Sequence, residues 1–210
     1  MDVQRFQRLN RDESRQEIRR QWGIDTKDFV ILFVSMNFEI KGLAELMAGL
    51  AKLKSKYPPK IFKLLIIGKG NVRKYRKLAR QLGIHDHILF LGVVHKEMLD
   101  RIYLASDLFA MLSQFDTFGI AVLEAMAASL PVLISGNVGA KDLVRQGENG
   151  FIVSLPPSPE EIADRIGYLL DEGIRSKMAK ESYMTAGGQS WEIVAQKVHN
   201  IYDEIIRGKN

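Results

Sequence analysis

Residues 108–134 limit the fold of this chain more than any other segment. Leu108-Phe109-Ala110-Met111-Leu112 is a continuous apolar run of strand length. Residues 119–129 are rich in helix formers without an internal glycine or proline, and Pro131 stops that helix before a second apolar run, Val132-Leu133-Ile134. Between Asp116 and Lys141 there is one charge, Glu124. Ile120, Val122, Leu123, Met126 and Ala127 cover most of the helix circumference, so the helix is expected to be buried nearly all round. A carboxylate in that setting is costly unless something hydrogen-bonds it, and the neighbouring sequence offers no partner. A distant Lys or Arg is one solution and a ligand is the other. Gly119 stands where bare backbone N–H groups and the helix dipole can receive an anion. Glu124 lies about 7 Å further along the axis, which suits hydroxyls attached to that anion. Phosphate at the helix start with ribose on a deeper carboxylate describes a nucleotide site at the carboxyl ends of parallel strands. That reading needs an open crevice beside Gly119; Glu124 locked to a cation with no crevice there would remove it.

The remaining chain repeats the strand–helix alternation. Residues 3–21 read as a polar lead-in helix with sparse apolar anchors (Phe6, Leu9, Ile18, with Trp22 just beyond) and arginines facing water. Strands are expected at 29–34, 61–67, 87–92, 108–112, 132–134 and 150–153. Helices are expected at 43–56 (ended by Pro58-Pro59), 72–82, 96–105, around 142–145, 160–171 with Ser158 as N-cap, 175–185 and 190–206. Strands alternating with helices at these lengths require right-handed crossovers, giving an α/β fold with a Rossmann-like parallel sheet of about six strands and helices on both faces. One domain is expected over residues 1–210: a lead-in segment (1–28), the sheet core (29–153) and C-terminal helices (158–210).

The chain has 210 residues, no cysteine and a net charge of +5. Disulfides and thiolate chemistry are therefore absent, compatible with a reducing, cytoplasmic setting. No apolar window approaches a membrane span, and Met1-Asp2-Val3-Gln4-Arg5 leads into no signal-peptide core. The basicity is local, since residues 52–80 hold eleven Lys or Arg and no acid, leaving nineteen basic against twenty-five acidic residues elsewhere. Such a run is either a solvated face or an attraction for anionic phospholipid or a phosphorylated acceptor. Nucleic acid is not expected as a partner, because the run matches no recognised binding module. His85, His87, His95 and His199 form no metal cluster; His85 and His87 are expected on opposite faces of a strand, and His95 in a cleft loop.

Asp116-Thr117-Phe118-Gly119, then Glu124 eight positions after the first acid, then Ala125-Met126-Ala127-Ala128-Ser129-Leu130-Pro131-Val132, resembles the C-terminal domain of retaining GT-B glycosyltransferases. The group includes lipopolysaccharide-core glucosyltransferases and bacterial-type sucrose and glycogen synthases. Val144-Arg145-Gln146-Gly147-Glu148-Asn149-Gly150-Phe151-Ile152-Val153, Phe90-Leu91-Gly92 and Lys41-Gly42 are further matches, and the resemblance runs from Phe29 to the end. It implies a nucleotide-diphosphate hexose donor, with a UDP-sugar expected, and neither cofactor nor metal. By resemblance Lys41 meets the donor diphosphate, Asp116 accepts from sugar hydroxyls, Gly119 and Ile120 give N–H groups to phosphate or sugar, and Glu124 holds the ribose. Val93 and Val94 flank the base, and Gly68, Thr117 and Phe118 line the cleft.

The chain departs from that pattern in three ways. Asp116 stands where Glu is common, and neither Met36 nor Ile40 supplies the arginine many relatives carry, leaving Lys69 or Arg73 to substitute. The N-terminal Rossmann domain that provides the acceptor site, for a glycan or glycolipid, is absent. A non-catalytic partner-binding module of GT-B type is therefore the alternative, and a sugar-nucleotide epimerase a more distant one.

Overall fold

The computed structural model describes residues 2–57 and 62–207. The expected stop at Pro58-Pro59 and the expected first strand residue Ile61 lie outside the described residues. In chain order the elements are α1 (Arg11–Gln21), β1 (Phe29–Ser35), α2 (Leu43–Lys56), β2 (Phe62–Gly68), α3 (Val72–Gln81), β3 (Ile88–Gly92), α4 (Lys96–Ala105), β4 (Leu108–Met111), α5 (Ile120–Ala127), β5 (Val132–Ser135), β6 (Gly150–Val153), α6 (Pro159–Tyr168), α7 (Glu172–Gly187) and α8 (Trp191–Arg207).

The six strands form one sheet in the order β3-β2-β1-β4-β5-β6, every pairing parallel. Side chains alternate across it and so feed two cores. In β1, Val30 and Leu32 join α4 and α5, while Phe29, Ile31 and Phe33 join α2, α3 and α6. Strands covered on both faces read as unbroken apolar runs, which is why their positions are legible from composition. The chain order reverses between β1 and β4, and in open α/β sheets that switch point is where ligands bind.

Four expectations are corrected. Residues 3–21 are not one helix: a 3-10 turn spans Val3–Arg8, and Asn10 caps α1 by accepting from the Asp12 and Glu13 N–H groups. Nor do all the lead-in arginines face water. Arg19 is 3% exposed and reaches Asp107 Oδ2 at 2.9 Å, while Arg15 reaches Oδ1 at 2.9 Å. The Val30 N–H also donates to Asp107 Oδ2, at 2.9 Å, so one carboxylate at the head of β4 binds α1 to the sheet. Burial pulls the Arg19 guanidinium below the ordinary arginine value, and Asp107 opposes that shift. His85–His87 is a 3-10 turn, so β3 begins at Ile88 and the two histidines are not strand residues. The short helix expected at 142–145 is a 3-10 turn over Gly139–Leu143.

Asp107→Asn is expected to lower unfolding free energy by about 3–5 kcal/mol, since it leaves Arg19 buried without its counter-charge. Urea unfolding of the two proteins checks this, and equal midpoints would refute it.

Candidate functional site

The loops that follow β1, β4 and β5 are bonded to one another at the carboxyl end of the sheet. Gln114 N–H donates to Ile40 O at 2.8 Å, Asp116 N–H to Asn137 O at 3.1 Å, and Gly139 N–H to Asp116 O at 3.0 Å. This lattice holds two predicted residues together across the switch point: Lys41 Nζ lies 2.5 Å from Asp116 Oδ2 and 3.3 Å from Phe115 O. The other oxygen of Asp116 accepts from Phe118 N–H at 3.2 Å. Both side chains remain partly accessible, 22% for Lys41 and 17% for Asp116.

Gly42 and Gly119 cap α2 and α5 in the left-handed region, with φ of 73° and 87°. A Cβ at Gly42 would sit 2.0 Å from Leu112 O, so only glycine lets the head of α2 approach β4 and deliver Lys41. At Gly119 a Cβ would come 2.8 Å from Val138 Cγ1. Among the described residues, neither the Gly119 nor the Ile120 N–H donates to a protein group. Thr117 and Phe118 lead directly into this helix start, beside a pocket of about 500 Å³ lined by Asp116, Thr117, Asn137, Val138, Gly139 and Lys141.

Glu124 has the partner that its local sequence lacks. Arg5 Nη2, from the lead-in turn, reaches Glu124 Oε1 at 2.9 Å, and the Tyr103 hydroxyl of α4 donates to Oε2 at 3.1 Å. The distant-cation solution therefore holds, and the pocket at this end of the sheet is lined by Asp116, Thr117 and Gly139 rather than by Gly119 or Glu124. Each Glu124 oxygen has one donor, whereas a carboxylate offers about four acceptor sites, and the side chain stays 19% exposed. The helix is not buried nearly all round, because Ile120 at its start is 64% exposed.

Gly68 ends β2, and Val93 and Val94 follow β3, at the same end of the sheet as the Lys41–Asp116 pair. A Cβ at Gly68 would lie 1.7 Å from Ser35 O, so the end of β2 closes tightly on that of β1. Val93 is exposed, and Val94 is partly buried against the core. Met36 and Ile40, together with Phe115, Phe118 and Ile120, make an exposed apolar rim around this end. Arg5, Tyr103 and Asn137 were missed because their roles arise from contacts 21 to 119 residues apart in sequence. The only advance signal was the need for a cation at Glu124.

Residues 14–185 match the family model described as "Glycosyl transferases group 1". The chain belongs to that family. It is 32% identical over 195 residues to an uncharacterized glycosyltransferase of Methanocaldococcus jannaschii, covering 90% of this chain and 48% of that protein. The crystal structure of WaaG, a glycosyltransferase involved in lipopolysaccharide biosynthesis, superposes with a TM-score of 0.82 at 23% identity, covering 96% of this chain and 54% of WaaG. HepE of Anabaena in complex with UDP-glucose gives a TM-score of 0.77 at 25% identity, covering 91% and 53%. The fold is that of the C-terminal domain of GT-B glycosyltransferases, and the chain spans about half the length of the curated relatives it matches.

Gly119→Ala is expected to lower unfolding free energy by about 1–2 kcal/mol, the cost of a left-handed non-glycine residue. Urea denaturation reads it, and wild-type stability in the variant would contradict the assignment.

Proposed function

We propose that this domain binds the nucleotide-diphosphate sugar donor, expected to be a UDP-hexose, of a retaining glycosyltransferase. The observation that carries the reading is the Lys41–Asp116 pair spanning the switch point beside the unoccupied N–H groups at the start of α5. Lys41 offsets charge developing on the leaving diphosphate, and Gly119 and Ile120 N–H groups bind phosphate or sugar. Asp116 orients sugar hydroxyls and Glu124 the ribose. Gly68, Val93 and Val94 border the base. No metal or cofactor enters this scheme, and catalysis rests on positioning and electrostatics. The UDP-glucose complex of HepE supports the choice of donor, and the likeness to WaaG suggests an acceptor in lipopolysaccharide or another envelope glycan.

In this reading the acceptor site belongs to an N-terminal domain outside this chain, so the domain alone binds donor and transfers little. The setting is cytoplasmic, and among the described residues no helix is long and apolar enough to cross a membrane. Peripheral contact with an anionic membrane is supported by α3. Arg73, Arg76, Lys77 and Arg80 fall at helical spacing on one exposed face, with no acidic partner within ion-pair distance among the described residues. Lys52, Lys56 and Lys74, by contrast, pair with Glu160, Asp164 and Glu39.

A thermal-shift panel of UDP-, GDP- and ADP-sugars tests the donor site. Ligand at one hundred times Kd stabilises by about 2.7 kcal/mol, which raises Tm by about 5–10 °C in a domain of this size. No shift with any of them would leave the partner-binding module, which the exposed apolar rim favours. Co-sedimentation with phosphatidylglycerol vesicles tests the membrane contact. Binding is expected to weaken with salt and to fall sharply in Arg76→Gln/Arg80→Gln, since each basic residue contributes about 1 kcal/mol at an anionic surface. Equal binding to neutral phosphatidylcholine vesicles would count against it.

A further inference from the structure

The carboxylate of Glu124 is gripped from two sides by residues outside the Asp116–Val132 segment. Arg5 Nη2 stands 2.9 Å from Glu124 Oε1 and 3.0 Å from Asp100 Oδ1, so one cation is shared between two carboxylates. Tyr103 holds the second oxygen of Glu124. Val3 and Phe6 anchor the lead-in turn in the core on either side of Arg5, and the Arg5 guanidinium lies 4.6 Å from the centre of the Phe6 ring. The same ring meets Tyr103 edge-on at 5.8 Å. Burial, and then the Glu124 carboxylate, push the Tyr103 phenol well above its ordinary value, so it remains a donor. Burial also pushes the Asp100 carboxyl up, against the pull of Arg5.

We propose that Arg5 and Tyr103 are positioning residues that orient the Glu124 carboxylate toward a nucleotide's ribose. One donor on each oxygen fixes the carboxylate plane and leaves an acceptor site on each oxygen, a match for the two neighbouring hydroxyls of a ribose. An unclamped Glu on a helix surface would sample several rotamers and lose entropy on binding. The inference rests on the donor-site reading above. It adds that the lead-in segment, which lies outside the sheet, completes the site.

The experiment is calorimetric titration of UDP and 2′-deoxy-UDP into the wild type, Arg5→Gln, Arg5→Lys and Tyr103→Phe. Wild type is expected to prefer UDP by about tenfold, the scale of one hydrogen bond to a charged acceptor. In Arg5→Gln, UDP binding is expected to weaken by about tenfold while 2′-deoxy-UDP changes little, so the preference collapses. Arg5→Lys should recover part of it, and Tyr103→Phe should lose less than Arg5→Gln. A purely structural role would weaken both nucleotides alike and leave their ratio intact, which would overturn the proposal. Tighter UDP binding in Arg5→Gln would also overturn it, by making Arg5 a competitor of the ribose. If Arg5→Gln does not fold, an unchanged ratio in both Arg5→Lys and Tyr103→Phe overturns it equally. Wild type that binds neither nucleotide removes the donor-site reading and this inference with it, a result seen before any variant is made.

Discussion

The interaction on which the arrangement depends is the one around Asp107. Its carboxylate stands at the head of β4 and takes charge-assisted hydrogen bonds from Arg15 and Arg19 of α1, together with the Val30 N–H of β1. Hydrogen bonds to ionised groups are the strong ones, and a buried one removed by halves is costly. Two neighbouring elements, α1 and β1, are thereby tied to the head of β4, 77 to 92 residues further on. Because α1 is held against the sheet and α4, the turn that precedes it is laid along α5, and Arg5 arrives at Glu124.

At the carboxyl end, the governing constraint is close approach of backbones. Gly42 and Gly68 stand where a single Cβ would collide with a carbonyl oxygen of the neighbouring strand or loop. The loops after β1, β4 and β5 are correspondingly joined by main-chain hydrogen bonds. Lys41 and Asp116 are 75 residues apart in sequence and meet at 2.5 Å because the sheet reverses its order between β1 and β4. Paired with each other, the two side chains remain partly accessible at this end of the sheet.

Most of the architecture was legible because parallel strands buried on both faces must be apolar throughout, and helices between them must carry a periodic apolar stripe. The expected spans of α2, α4 and β6 coincide with the observed ones. The errors fall where periodicity carries little information. Arginines in the lead-in segment look like solvated charges when their counter-ion, Asp107, is 88 positions away from Arg19. The turn at His85–His87 was merged with β3 because the apolar run begins immediately after it. Helix α5 ends at Ala127, earlier than its composition implied, because Ser129 turns into the left-handed region ahead of Pro131.

The amino-acid sequence by itself determined the strand and helix alternation, the glycines at the heads of α2 and α5, and the requirement that Glu124 find a partner. Those are local properties, set by side-chain volume, backbone freedom and the cost of an isolated charge. Only the tertiary structure decided who that partner is, that Lys41 faces Asp116, and that the lead-in turn reaches Glu124. Ion pairs leave no periodic trace in a sequence, because their energy depends on distance and burial, and both of these exist only once the sheet has brought remote residues together.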